Sequence, residues 1–163
     1  MKIFVTVGSM LPFDRLVQAV DAWAGQQAEV QGFAQIGVSE WRPRHLESQA
    51  MLSPAEYRER FRWCDLIISH VGMGTVITAA ELGKPLLLLP RRVHLAEVTS
   101  AHQEATAKWL RGKPGICLIE DEAELAQRIP EAMVMERPQA LPQASAPLLD
   151  GLRRFVTQAL DNR

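Results

Sequence analysis

Cysteine, net charge and long apolar runs are all scarce in this chain, and each scarcity excludes something. Cys64 and Cys117 stand far apart among 163 residues, with no ligand-type neighbours. That rules out a disulfide framework and reads as two reduced core thiols of a cytosolic protein. Acids and bases nearly cancel, leaving a formal charge of −1. No global field therefore points to nucleic acid or to an anionic membrane, and any anion-binding surface has to be local. No apolar stretch reaches spanning length, and the opening MKIFVTVGSM is too brief for a signal peptide. Metal and nucleophile signatures are missing too: there is no HExxH, no paired CxxC, no Asp-x-Asp and no Gly-x-Ser-x-Gly.

What is present is an ordinary globular composition, 47% apolar and 23% charged, in a length that suits one domain with a real core. Short apolar runs alternate with helical patterns. Lys2 to Val7 reads as a buried strand, and Pro12 opens a helix whose apolar stripe is Phe13, Leu16, Val17, Val20 and Trp23. Gly32 to Gly37 and Leu46 to Met51 are weaker strands. Ser53-Pro54-Ala55-Glu56 is a helix start, with serine as cap and glutamate at the capping-box position, and that helix should run to Trp63. A strand over Leu66 to Ser69, a helix over Thr75 to Leu82 and a strand over Leu86 to Leu89 follow, with Gly83 and Pro85 stopping the helix. Then come a helix over Glu97 to Leu110, the strand GICLI and a helix over Asp121 to Val134. The four tryptophans read as packing residues.

This alternation implies an α/β fold, a single doubly wound and mostly parallel sheet with helices on both faces. The body should occupy residues 1–136. Residues 137–147, within the proline-bearing ERPQALPQASAP, read as a linker, and residues 148–163 as a C-terminal helix packing back on the domain.

In such sheets ligands bind beyond the carboxyl ends of the strands, so the loops there are the ones to read. One is Gly8-Ser9-Met10. Another is His70-Val71-Gly72-Met73-Gly74-Thr75, where a helix start offers unpaired N–H groups and glycines let an anion approach them. His70 at the strand tip can donate to the same anion. The plainer alternative is a tight turn with a satisfied surface histidine. No lysine stands between Ser69 and Lys84, which excludes a Walker loop, and Ile77 occupies the place of the third glycine of a dinucleotide fingerprint. The third loop brings Arg91 and Arg92, suited to neutralising a diphosphate or equally to lying as surface charges. Glu97 and His102-Gln103 follow, a set suited to sugar hydroxyls.

Four ordered segments, VTVGSMLPFDRLVQAVDAWA, QIGVSEWRP, RFRWCDLIISHVGMGTVITAAELGKPLLLLPRR and EVTSAHQEATA, resemble the C-terminal domain of glycosyltransferase family 28. They are similar in particular to the stand-alone donor subunits of two-component UDP-sugar transferases. The resemblance implies the C-terminal half of a GT-B fold that holds a UDP-sugar without metal or other cofactor. It also implies an inverting transferase of polysaccharide or lipid-linked glycan synthesis, and a separate membrane-associated, acceptor-binding subunit that keeps this chain at the inner face of the membrane. By position, Gly8 and Ser9 would lie near the diphosphate with Gly72, Gly74 and Thr75 beneath it, and His70 would be the catalytic histidine at the strand tip. Glu97, His102 and Gln103 would reach the donor sugar and ribose. The family usually carries a ribose-binding glutamate seven residues before Pro85, where this chain has Thr78, with Glu81 one turn further on. That departure opens an alternative, a non-catalytic nucleotide-sugar-binding or scaffold subunit. An epimerase is disfavoured, because Tyr57, the only tyrosine, is followed four residues later by Phe61 and not by lysine.

Overall fold

Short apolar runs of this kind are stable only in a sheet covered on both faces. The computed structural model, which describes residues 1–98, 102–138 and 145–161, places them there. β1 (Lys2–Thr6), β2 (Gln31–Gln35), β3 (Glu47–Gln49), β4 (Leu66–His70), β5 (Leu86–Leu89) and β6 (Ile116–Leu118) form one sheet in the order β3-β2-β1-β4-β5-β6. Every pairing is parallel. The helices are α1 (Asp14–Ala24), α2 (Pro54–Trp63), α3 (Met73–Leu82), α4 (His102–Leu110), α5 (Leu125–Met133) and α6 (Ala146–Asp161).

Alternation along the strands divides the core. Ile3 and Val5 pack with Leu16, Val17 and Val20 of α1 and with Leu125 and Ile129 of α5. Phe4 faces the other way, toward Phe61 of α2, Val76 and Ala79 of α3 and Leu110 of α4. Each such fully buried side chain contributes about 1.5–3 kcal/mol of transfer free energy, so both layers are firmly held. Cys64 and Cys117 are free thiols buried in these layers.

The capping box of α2 forms as its sequence requires: Ser53 Oγ accepts from the Glu56 N–H at 3.3 Å, and Glu56 Oε2 accepts from the Ser53 N–H at 2.8 Å. Gly83 ends α3 in the left-handed region, φ 60°, a conformation that glycine adopts without strain. Three departures bear on function. α3 begins at Met73, two residues before the expected Thr75. The single helix expected over Glu97 to Leu110 is instead a short 3-10 turn at Val93–Leu95, a reversal at Ala96 with φ 56°, and α4 from His102. Glu97 stays outside the helix because tertiary partners hold its carboxylate.

The third departure concerns α6. Its apolar side chains, Leu148, Leu149, Leu152, Phe155, Val156 and Leu160, are all exposed, Phe155 by 69%. The helix thus does not bury its stripe on the domain as the sequence suggested, since both faces of the sheet are already covered. Most of the expected linker, residues 139–144, lies outside the described residues.

Candidate functional site

The strand order reverses between β1 and β4, and the loops leaving these two strands diverge to open a cavity of about 750 Å³. A crevice at such a switch point is where open α/β sheets take ligands. Gly8, Ser9, His70, Gly72, Gly74, Thr75, Thr78, Arg91, Glu97 and Gln103 all line it. Of the residues singled out from sequence, Arg92 and His102 are not placed there: Arg92 turns to Glu120 and Asp121, and His102 opens α4 with its side chain outside the described residues.

One wall is the start of α3. Gly72 is its N-cap residue and supplies no side-chain cap. The Gly72 N–H reaches His70 O at 2.9 Å, and the helix ladder begins with the Val76 N–H to Gly72 O at 3.1 Å. Among the described residues no acceptor meets the N–H groups of Met73, Gly74 and Thr75. Gly74 and Thr75 line the cavity, so their amides and the positive end of the helix dipole border it. A Cβ on Gly74 would meet nothing within 4 Å, so the space beside its Cα is open.

His70 sits between the two glycine turns. A Cβ on Gly8, whose φ is +77°, would come within 2.8 Å of the imidazole, and one on Gly72 within 2.4 Å. The bare backbone at both positions is what admits the ring. Burial, reinforced by the Arg91 charge and only partly opposed by a bond to the Thr6 backbone, pushes the imidazole down to about 4. His70 is therefore neutral at pH 7 and can supply a hydrogen bond but no positive charge.

The opposite wall is a clamp. Arg91 is 5% exposed, and its guanidinium donates to four carbonyls: Pro12 at 2.7 Å, Glu97 at 2.8 Å, Val7 at 2.8 Å and Leu11 at 2.7 Å. It ties the Gly8 loop to the loop after β5. Glu97 takes Arg15 in a bidentate pair at 2.8 and 2.9 Å and the Arg92 N–H at 2.8 Å. Burial alone would raise the Glu97 carboxyl, but Arg15 and the Arg92 amide more than offset this and hold it below the ordinary range. Arg15 also donates to Glu122 at 2.5 Å and to Pro90 O at 3.1 Å. Arg92 turns outward to Glu120 O and Asp121. Gln103, buried, accepts from the Arg91 N–H at 3.3 Å. These residues shape the cavity with their polar groups already engaged.

Thr78 lines the cavity, yet its hydroxyl donates back to Gly74 O at 2.9 Å. Glu81 does not replace the missing glutamate: it faces Arg58 at 3.5 Å on the surface. Glu97 is consequently the only carboxylate lining the cavity among the described residues, and it is neutralised.

Sequence reasoning missed Arg15, Gln35 and Tyr57. Gln35 ends β2 and donates to Gly8 O at 3.2 Å. The Tyr57 hydroxyl lies 3.1 Å from Thr75 Oγ1, tying α2 to the first turn of α3, and burial raises this phenol against the opposing pull of the Thr75 and Thr6 hydroxyls. The only prior signal was the capping box, which fixes where α2 starts and hence which face Tyr57 presents. Among the described residues no three histidines, cysteines or carboxylates gather as a metal site, and no helix is long and apolar enough to cross a membrane.

Residues 2–155 match the model of the glycosyltransferase family 28 C-terminal domain. Among curated proteins, the UDP-N-acetylglucosamine--N-acetylmuramyl-(pentapeptide) pyrophosphoryl-undecaprenol N-acetylglucosamine transferase of Nitratidesulfovibrio vulgaris is 24% identical over 169 residues. That alignment takes in 90% of this chain and 45% of the relative, so the chain spans about half the length of the curated relatives it matches. Solved structures share the fold. The glycotransferase of kitacinnamycin superposes with a TM-score of 0.65 at 16% identity, over 82% of this chain and 35% of that one. MurG of Acinetobacter baumannii gives 0.56 at 22%, over 80% and 40%, and ALG13 gives 0.57 at 18%, over 93% and 94%.

Proposed function

The chain belongs to the family of glycosyltransferase family 28 C-terminal domains, and from that premise we propose that it binds the UDP-sugar donor of an inverting, metal-independent glycosyltransferase. The observation that carries this reading is the uncapped start of α3, whose open amides border a cavity at the switch point of the sheet. A diphosphate accepts hydrogen bonds and carries negative charge, which is what three free amides and a helix dipole favour. In the reaction an acceptor hydroxyl attacks the anomeric carbon while UDP leaves. The first turn of α3 then stabilises charge growing on the leaving diphosphate, with neutral His70 packed beside that turn. Leu52, Pro54 and Tyr57 form the less polar end of the cavity, suited to the nucleoside.

The acceptor and the general base come from elsewhere. Glu97 is held by Arg15, and His70, at about 4, is a weak base. We assign both roles to a membrane-associated partner that binds the acceptor of a polysaccharide or lipid-linked glycan and holds this chain at the cytoplasmic face. The exposed apolar stripe of α6 supports such a partner, since a helix with Leu148, Leu152, Phe155 and Val156 on one side needs a cover. Calorimetry with UDP and UDP-N-acetylglucosamine tests donor binding, and single-turnover transfer with and without a co-expressed partner tests the division of roles. Binding without transfer by the isolated chain is expected; full transfer by it alone refutes the division.

A second reading, a nucleotide-sugar-binding subunit without turnover, is favoured by Thr78, whose hydroxyl is engaged by its own helix. Weak UDP binding restored by Thr78→Glu would make it the better account.

A further inference from the structure

Away from the donor cavity, the end of α4 and the turn after it carry KWLRGK, Lys108 to Lys113, a segment that the donor-binding function leaves unused. Trp109, expected in the core, is 54% exposed. Lys113 Nζ stands 4.3 Å over its ring, and Lys108 beside it is exposed. Lys108 and Arg111 form one side of a second cavity of about 330 Å³, whose other side brings Arg92 and His94. Among the described residues the only carboxylate lining that cavity is Glu120, which pairs with Arg111, while Arg92 pairs with Asp121 at 3.1 Å. Among the described side chains four Lys and Arg thus stand against two carboxylates, in a chain whose formal charge is −1.

Cations at a helix C-terminus are favoured by its dipole, which accounts for Lys108 and Arg111. It accounts neither for an indole left in water nor for the converging guanidinium groups across the cavity. An exposed aromatic ring with cations beside it in the chain is a composition that partitions to a membrane interface: the ring enters the headgroup layer and the cations meet lipid phosphates. A nucleic acid would be met by stacking platforms along a basic groove, and here a single ring stands at a helix end.

The geometry points to a membrane-contact surface formed by Trp109, Lys108, Arg111 and Lys113, with the cationic cavity taking the phosphate of an anionic lipid. Contact is reversible and does not depend on the donor-binding reading. Arg91 lies between the two cavities, so a domain resting on this surface holds its donor cavity beside the membrane.

Cosedimentation of the full chain with vesicles of phosphatidylcholine alone, and of phosphatidylcholine mixed equally with phosphatidylglycerol, tests this. Binding only to the anionic vesicles is expected, with loss at high salt and a blue shift of tryptophan emission that is absent in Trp109→Ala. Each cation near an anionic surface contributes about five-fold, so Lys108→Glu with Lys113→Glu should weaken partitioning at least about 25-fold. Unchanged thermal melts of the same variants show that they are folded. Equal binding to neutral vesicles, no binding to anionic ones, or anionic binding indifferent to these substitutions overturns the proposal. So does binding to single-stranded RNA in the same salt range with vesicle partitioning unaffected by Trp109→Ala.

Discussion

The two walls of the donor cavity are built on opposite plans. The α3 wall is unfinished, with amides lacking acceptors, an N-cap without a side chain, and a glycine whose Cβ position is empty. The Arg91 wall is complete, each guanidinium hydrogen bond and each Glu97 oxygen having a partner inside the chain. The contrast separates residues that wait for a ligand from residues that hold the cavity's shape, although all of them line it. Lining a site and serving its chemistry are different properties. Substitutions on the two walls should therefore fail differently.

The largest effect belongs to the complete wall. Arg91→Met leaves four carbonyls without their donor and removes a charge that faces Glu97, and should lower unfolding stability by about 3–5 kcal/mol. Arg91→Lys should not rescue it, because one ammonium cannot reproduce a planar fork. Denaturant melts check both. On the open wall, Gly74→Asp should do the reverse. An acid in the first turn suits the helix dipole, so stability should hold, while UDP affinity should fall by about 100-fold, or about 2.7 kcal/mol. Paired calorimetry and thermal melts read this, and a loss of stability without a loss of affinity would erase the distinction between the walls.

Next in size is a pH effect at the seam between them. His70 is held near 4 in the fold against about 6.5 for a free histidine. The unfolded chain binds the extra proton between these values, so this contribution to stability is complete above about 6.5 and is lost as pH falls toward 4. The loss at pH 5 is about 2 kcal/mol. Urea melts at pH 7 and pH 5 should show that slope in the wild type and a shallower one in His70→Gln. The smallest effect is at Thr78. Thr78→Glu should strengthen an already measurable UDP binding by no more than a few-fold, through a carboxylate that accepts from ribose hydroxyls; restoration from weak wild-type binding would instead favour the reading without turnover.

Much of this organisation was legible in the residues. Leu86 to Leu89 and the capping box at Ser53 are written locally, in an unbroken apolar run and in a four-residue pattern, and both formed as read. The glycine turn after β4 was legible because a bare backbone between strand and helix has few uses. The clamp was not. Arg91 draws three of its four carbonyls from residues some eighty positions away, and Glu97 left its expected helix because Arg15, equally distant, holds it. Such partners exist only once β1 and β5 lie in one sheet. Periodicity likewise marked the apolar stripe of α6 but said nothing of whether this domain or another covers it, and here nothing in the described chain does.

The central claim is that the first turn of α3 holds a diphosphate by its own amides. Titration of labelled protein with UDP, followed by amide NMR, tests it most directly. The Met73, Gly74 and Thr75 resonances should move downfield together, in step with those of Gly8 and Ser9 across the cavity. If UDP binds and those three amides stay in place, the diphosphate sits elsewhere and the account is wrong.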